Sequence, residues 1–231
     1  MSLWSRISDA LSALASGEGL SAVFDRLRNP HEKSPERSVA FTIAVIALGA
    51  KMAKADGEVT RDEVSAFRQV FAIPPSEEAN AARVFNLARQ DVAGFDAYAR
   101  KIKTMFGNET NVLKDLLEGL FYISVADGQY HANEDAFLAE VARIFELEDC
   151  CFRALRARFV ADAPRDPYDV LGIPPTASID EVRAAWKAAV RDSHPDRMMA
   201  RGVPPEMIQL ATRRLIAINA AWEEISARQA A

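Results

Sequence analysis

Apolar residues return every three or four positions along almost the whole chain, and no stretch alternates apolar with polar, so the pattern predicts an all-α protein. Helices are expected from about Glu36 to Ala55, Arg61 to Phe71, Val112 to Ala126, Glu134 to Phe145 and Cys151 to Val160, with further helical spacing through Tyr98, Ile102 and Met105. Pro74 and Pro75 break the chain, and Ser76, Glu77 and Glu78 read as a new helix start. The longest apolar run, Val39 to Ala50, ends at Lys51. It falls well short of the ~20 residues that span a bilayer and is expected to be a buried core helix. Residues 1–34 carry an amphipathic stripe of Trp4, Ile7, Leu11 and Leu14, then Leu20, Val23, Phe24 and Leu27. Such a stripe packs on its own chain. Interfacial membrane contact is the competing reading, against which stands the scarcity of Lys and Arg there.

The periodicity stops between Ala161 and Pro167, where Pro164 and Pro167 interrupt the backbone. The chain is therefore divided into an N-terminal segment (1–34), a helical bundle (35–160), a linker (161–165) and a smaller helical unit (166–231). In that unit Asp166 to Gly172 forms a short helical turn closed by glycine. Ser178 and Glu181 form a capping box that opens a helix running to about Asp192. A loop then leads to Pro204 and Pro205, and a last helix covers about Glu206 to Ser226. Val182, Ala185, Trp186 and Ala189 share one face of the first long helix and are expected to pack on Leu171, Leu215, Ile218 and Trp222, making an antiparallel helix pair.

The bundle contains a weak internal repeat. Ala55-Asp56-Gly57 and Glu63 are matched, 71 positions on, by Ala126-Asp127-Gly128 and Glu134. One reading is structural, with the glycines stopping helices and Thr60 and Glu63 capping the next one. The other has the two units facing each other, so that Asp56, Glu63, Asp127 and Glu134 hold a hard divalent cation. An EF-hand is excluded, because Met52, Lys54, Ile123 and Val125 stand where its first oxygen ligands would be.

Composition narrows the function classes. The net charge of -5 argues against nucleic-acid binding. The excess acid lies in the first 164 residues, with 19 basic and 24 acidic side chains, against nine of each from Arg165 onward. Cys150 and Cys151 are adjacent, without metal-ligand spacing, and read as reduced thiols of a cytosolic protein. The three histidines, His31, His131 and His194, are too scattered for a catalytic zinc site. An enzyme is not expected.

The most specific chemistry lies at His194-Pro195-Asp196, just beyond a basic helix. Arg183, Lys187 and Arg191 fall within an arc of roughly 80° on that helix. A solvated charged face and a simple surface turn would explain both features. As a docking device, each part has a task. The three cations steer a partner, Pro195 stiffens the turn, Asp196 offers a carboxylate for bidentate capture by an arginine, and His194 presents a ring at the tip.

Asp166 to Arg197, with Tyr168, Leu171 and Gly172 at its start, the basic helix, the His-Pro-Asp string and a last helix containing Ile218 to Ile225, resembles the J domain of the DnaJ co-chaperone family. The resemblance implies that Arg183, Lys187, Arg191, His194, Pro195, Asp196 and Arg197 dock on a DnaK-type chaperone and stimulate its ATP hydrolysis. The chain departs from the family at Ser193, where an aromatic residue is usual, and at Ala188 and Asp192, where basic residues are frequent. Docking is expected to be weaker or more selective as a result. The glycine/phenylalanine-rich and cysteine-rich modules of full-length DnaJ are not found.

The paired Asp-Gly units resemble the TerB-like helical domain, and a TerB-like domain followed by a J domain is the arrangement of DjlA-type co-chaperones. This resemblance implies a co-chaperone whose bundle supplies localisation or senses a client or metal. The expected place is the cytoplasm or the periphery of the inner membrane, without the membrane span that usually opens such proteins. Two other readings stand beside it: a metal- or envelope-stress-sensing TerB-like protein with a degenerate J domain, and a scaffold that binds helical partners. The client stays unassigned, and no cofactor is expected beyond that cation.

Overall fold

Helix α1 (Ser34–Ala55) is apolar on every side from Val39 to Ala50, and such a helix has to be surrounded by others. In the computed structural model, which describes residues 6, 7, 9, 22, 34–55, 73, 75–90, 94–107, 109–126, 128–160, 166–204 and 207–230, it is buried along that whole run. Lys51 closes the run as expected from its position, 6% exposed, with its ammonium 4.9 Å from the centre of the Tyr98 ring. No strand occurs among the described residues.

Around α1 pack α2 (Glu78–Gln90), α3 (Phe95–Phe106) and α4 (Thr110–Ser124), followed by α5 (Ala132–Ile144) and α6 (Asp149–Phe159). A short 3-10 turn at Pro75–Glu77 leads into α2, where the two prolines and the acidic start predicted a beginning. The expected helix from Arg61 to Phe71 and the linker 161–165 lie outside the described residues. Of the N-terminal stripe, Ile7 is fully buried in the bundle core, as same-chain packing requires.

The C-terminal unit contains α7 (Pro167–Leu171), α8 (Ile179–Asp192), α9 (Pro195–Ala200) and α10 (Gln209–Ala230). Asp166 caps α7 by accepting the Tyr168 N–H at 2.9 Å, and Gly172 ends it at φ 68, ψ 36, a left-handed conformation that glycine adopts without a Cβ clash. Leu171, Ala177, Val182, Ile218, Ala221 and Ile225 form a small core of their own, flanked by the Trp186–Trp222 stack at 5.2 Å. Arg183 lies over Trp222, while Trp186, one turn further on, donates to Asn219, one turn earlier. That progression is the antiparallel pairing of α8 and α10. Leu215, assigned to this core from the pattern, is only half-buried and does not join it.

The same unit also completes the core of the bundle. Met198, Val203, Met207, Leu210 and Ala211, from α9 to the start of α10, belong to the cluster built on α1 and α4. Gly119 makes room for this insertion, since a Cβ there would lie 2.7 Å from Met207 Cε.

Candidate functional site

Helix α8 begins where the capping box predicted. Ser178 Oγ accepts the Glu181 N–H at 3.4 Å, and Glu181 Oε2 accepts the Ser178 N–H at 2.8 Å. The bonds from the Ser178 backbone and hydroxyl hold the Glu181 carboxyl below the usual range. Val182 is buried on the inner face of α8, whereas Arg183, Lys187 and Arg191 are all exposed.

The chain leaves α8 through Ser193, which is 2% exposed and donates its hydroxyl to the Ala189 carbonyl at 2.7 Å. A loop was expected from here to Pro204. Instead His194 is the N-cap of α9. Its Nδ1 accepts the Asp196 N–H at 3.2 Å, and Pro195 occupies the first helical position, where its missing N–H leaves nothing unsatisfied. The motif is thus the stiff first turn of a helix. Its side chains face water: His194 is 60% and Asp196 80% exposed, and His194 Nδ1 lies 3.6 Å from Asp196 Oδ2. Arg197 folds back to Asp192 Oδ1 at 2.8 Å.

Beneath this exposed tip lies a charged cluster that the sequence reading missed. Asp115 and Glu118 of α4 are buried among apolar neighbours, with side chains only 1% exposed. Three arginines meet them. Arg158 of α6 donates to Glu118 Oε1 at 2.9 Å. Arg214 of α10 donates to Asp115 Oδ1 at 2.6 Å and also to Glu118 Oε2. Arg201, at the end of α9, donates through Nε to Asp115 Oδ2 at 2.9 Å. Burial pushes the Glu118 carboxyl up, but Arg158 and Arg214 outweigh it and hold it below the usual range. The signal available in the sequence was two acids three residues apart on a helix that is mostly apolar from Val112 to Ile123, and buried acids have to find cations.

A second ion pair between bundle and C-terminal unit, Arg153 with Asp169, is bidentate at 2.9 Å and more exposed. Between the two parts lies a cleft of about 340 Å³ whose lining includes Lys114, Cys151, Ala188 and Ser193. Cys150 and Cys151 are free thiols, both pushed up by burial, which favours the protonated form.

Of the four acids considered for a cation, Glu134 is buried, and its carboxylate accepts the His131 N–H at 2.8 Å, capping α5. Gly128, before it, has φ 85. Asp56, Glu63 and Asp127 lie outside the described residues. Among the described residues no three His, Cys, Asp or Glu side chains are placed to hold a metal, and no helix is long and apolar enough to cross a membrane.

Comparison with known proteins agrees with this architecture. The family described as tellurite resistance protein TerB matches residues 42–157, and the DnaJ domain matches residues 166–230. Co-chaperone protein DjlA of Photobacterium profundum is 27% identical, covering 83% of this chain and 79% of its own length. The protein of that name from Coxiella burnetii is 28% identical over 75% and 72%. The one from Escherichia coli K12 is 22% identical over 97% of both. No solved structure matches. The chain belongs to the TerB family and joins that fold to a DnaJ domain, the arrangement of the DjlA-type co-chaperones.

Proposed function

We propose that this co-chaperone docks on the nucleotide-binding domain of a DnaK-type chaperone and stimulates its ATP hydrolysis. Arg183, Lys187 and Arg191 supply the steering charge, and His194, Pro195 and Asp196 make the triggering contact, with Arg197 beside them. The observation that carries this reading is the placing of His194 and Asp196 side chains in water on a helix-capped turn, directly after the exposed basic helix. A contact held in advance of binding biases a partner's conformational equilibrium without first paying to order itself. The TerB bundle supplies localisation or recognition of a client.

Single-turnover ATP hydrolysis by a DnaK-type chaperone tests the reading. The full chain is expected to accelerate it, and His194→Gln, whose side chain is exposed and makes one local hydrogen bond, is expected to lose the acceleration while keeping its melting temperature. Equal acceleration by both proteins, or none by the folded wild type, overturns it.

A further inference from the structure

Arg201 joins the base of the His-Pro-Asp turn to the TerB bundle. Its Nη1 and Nη2 both donate to the Asp192 carbonyl at 3.1 Å, while its Nε donates to Asp115 at 2.9 Å. Asp192 is the last residue of α8, and its carbonyl is one that a helix C-terminus leaves without an intrahelical partner. The guanidinium therefore ties down the backbone two residues before His194. Asp115 fixes that guanidinium from α4, and Arg214 fixes Asp115 in turn. All three charged side chains are largely buried, at 15%, 1% and 14% exposure, so water does not dissipate the linkage.

The apolar contacts agree. Met198 of α9 is fully buried in the core built on α1 and α4, so the helix that carries Pro195 and Asp196 is seated on the bundle at its far side. Ser193, buried at the junction, lines the same cleft as Asp192 and Arg201.

We infer that Arg201 and Asp115 are positioning residues for ATPase stimulation: the TerB bundle, through Asp115 and Arg201, sets the conformation of the His-Pro-Asp turn. This rests on the docking function proposed above and goes beyond it. In that reading the bundle chooses the place of action; here it also tunes the trigger.

Separating maximal stimulation from half-saturating concentration, in the full chain, tests the inference. Arg201→Met keeps the aliphatic stem and removes the fork, and Asp115→Asn keeps the shape and removes the charge. Each is expected to lower maximal stimulation by about tenfold, the scale of an ordinary coupling between sites. The half-saturating concentration, set by the exposed stripe on α8, is expected to stay within about twofold. The double variant is expected to be no worse than the weaker single one, since both break the same link. Arg201→Lys, which keeps the charge opposite Asp115, is expected to recover part of the stimulation. Val141→Ala, a cavity in the bundle core on α5, which contributes no group to the link, is expected to lower the melting temperature and leave stimulation intact.

Wild-type stimulation from folded Arg201→Met or Asp115→Asn overturns the inference and leaves the docking function standing, as does an equal loss from Val141→Ala. Absence of stimulation by the wild type overturns both. Should either variant be too unstable for the assay, hydrogen exchange at the Asp196 amide in the remaining one decides. Exchange about tenfold faster than wild type supports the link, and unchanged exchange rejects it.

Discussion

Arg214, on the last helix, donates to Asp115 Oδ1 at 2.6 Å across 99 residues of chain, and the same guanidinium also meets Glu118. The two acids and three arginines are the buried polar centre of the junction between bundle and J domain, with Arg153–Asp169 a more exposed pair beside them. Breaking such a cluster from one side strands charges that are largely withdrawn from water. Glu118→Ala leaves Arg158 and part of Arg214 uncompensated and is expected to cost about 3–5 kcal/mol. A lowered urea midpoint with little change in slope checks this; a loss under 1 kcal/mol would mean that water already enters the junction.

The steering stripe makes a different prediction. Arg183, Lys187 and Arg191 are exposed, so they contribute little to folding. Reversal of all three to Glu is expected to leave the melting temperature within a few degrees of wild type. It should raise the half-saturating concentration for chaperone stimulation and flatten its dependence on salt. Stimulation measured between low and high ionic strength tests this, and an unchanged salt dependence would remove the stripe from the docking face.

Local chemistry was legible in the sequence, and long-range chemistry was not. The Ser178–Glu181 box, the end of α7 at Gly172 and the burial of Val39 to Ala50 are decided within a few residues, and each sits where the pattern put it. The His-Pro-Asp string was visible, but a proline there suits a turn and a first helical position equally, so α9 was read as loop. The last helix runs past Ser226 to Ala230 because its tail contains good helix formers and no stop signal. Met207 and Leu210 were not among the positions the pattern assigned to a core, and it is the bundle that buries them. The Arg201–Asp115 and Arg214–Asp115 pairs span 86 and 99 residues, a separation no spacing rule can read.

Gly119 offers a test of that shared core. In mid-helix, Gly→Ala is worth about 1 kcal/mol in helix propensity. The new Cβ would lie at ordinary distance from Val45, 3.6 Å, but 2.7 Å from Met207 Cε, the far end of a flexible side chain. Gly119→Ala is therefore expected to be near neutral. Gly119→Leu is expected to force Met207 out and cost about 1–3 kcal/mol. Chemical denaturation of both variants checks the contrast; a tolerated leucine would mean that Met207 is not seated against α4.

Acid should loosen the junction through Glu118. Its carboxyl is held below the ordinary glutamate range in the folded chain, because Arg158 and Arg214 outweigh the effect of burial. A depressed folded-state value means that the unfolded chain binds the proton first as pH falls. The stabilisation from Glu118 is thus fully present above the unfolded value near 4.5 and is lost as pH drops through the lower folded one. Unfolding free energy measured from pH 6 downward is expected to fall more steeply in the wild type than in Glu118→Gln, which has no proton to take up there. The two curves should converge toward the acid end. Parallel curves would show that Glu118 titrates alike in both states and that its arginines do not hold it.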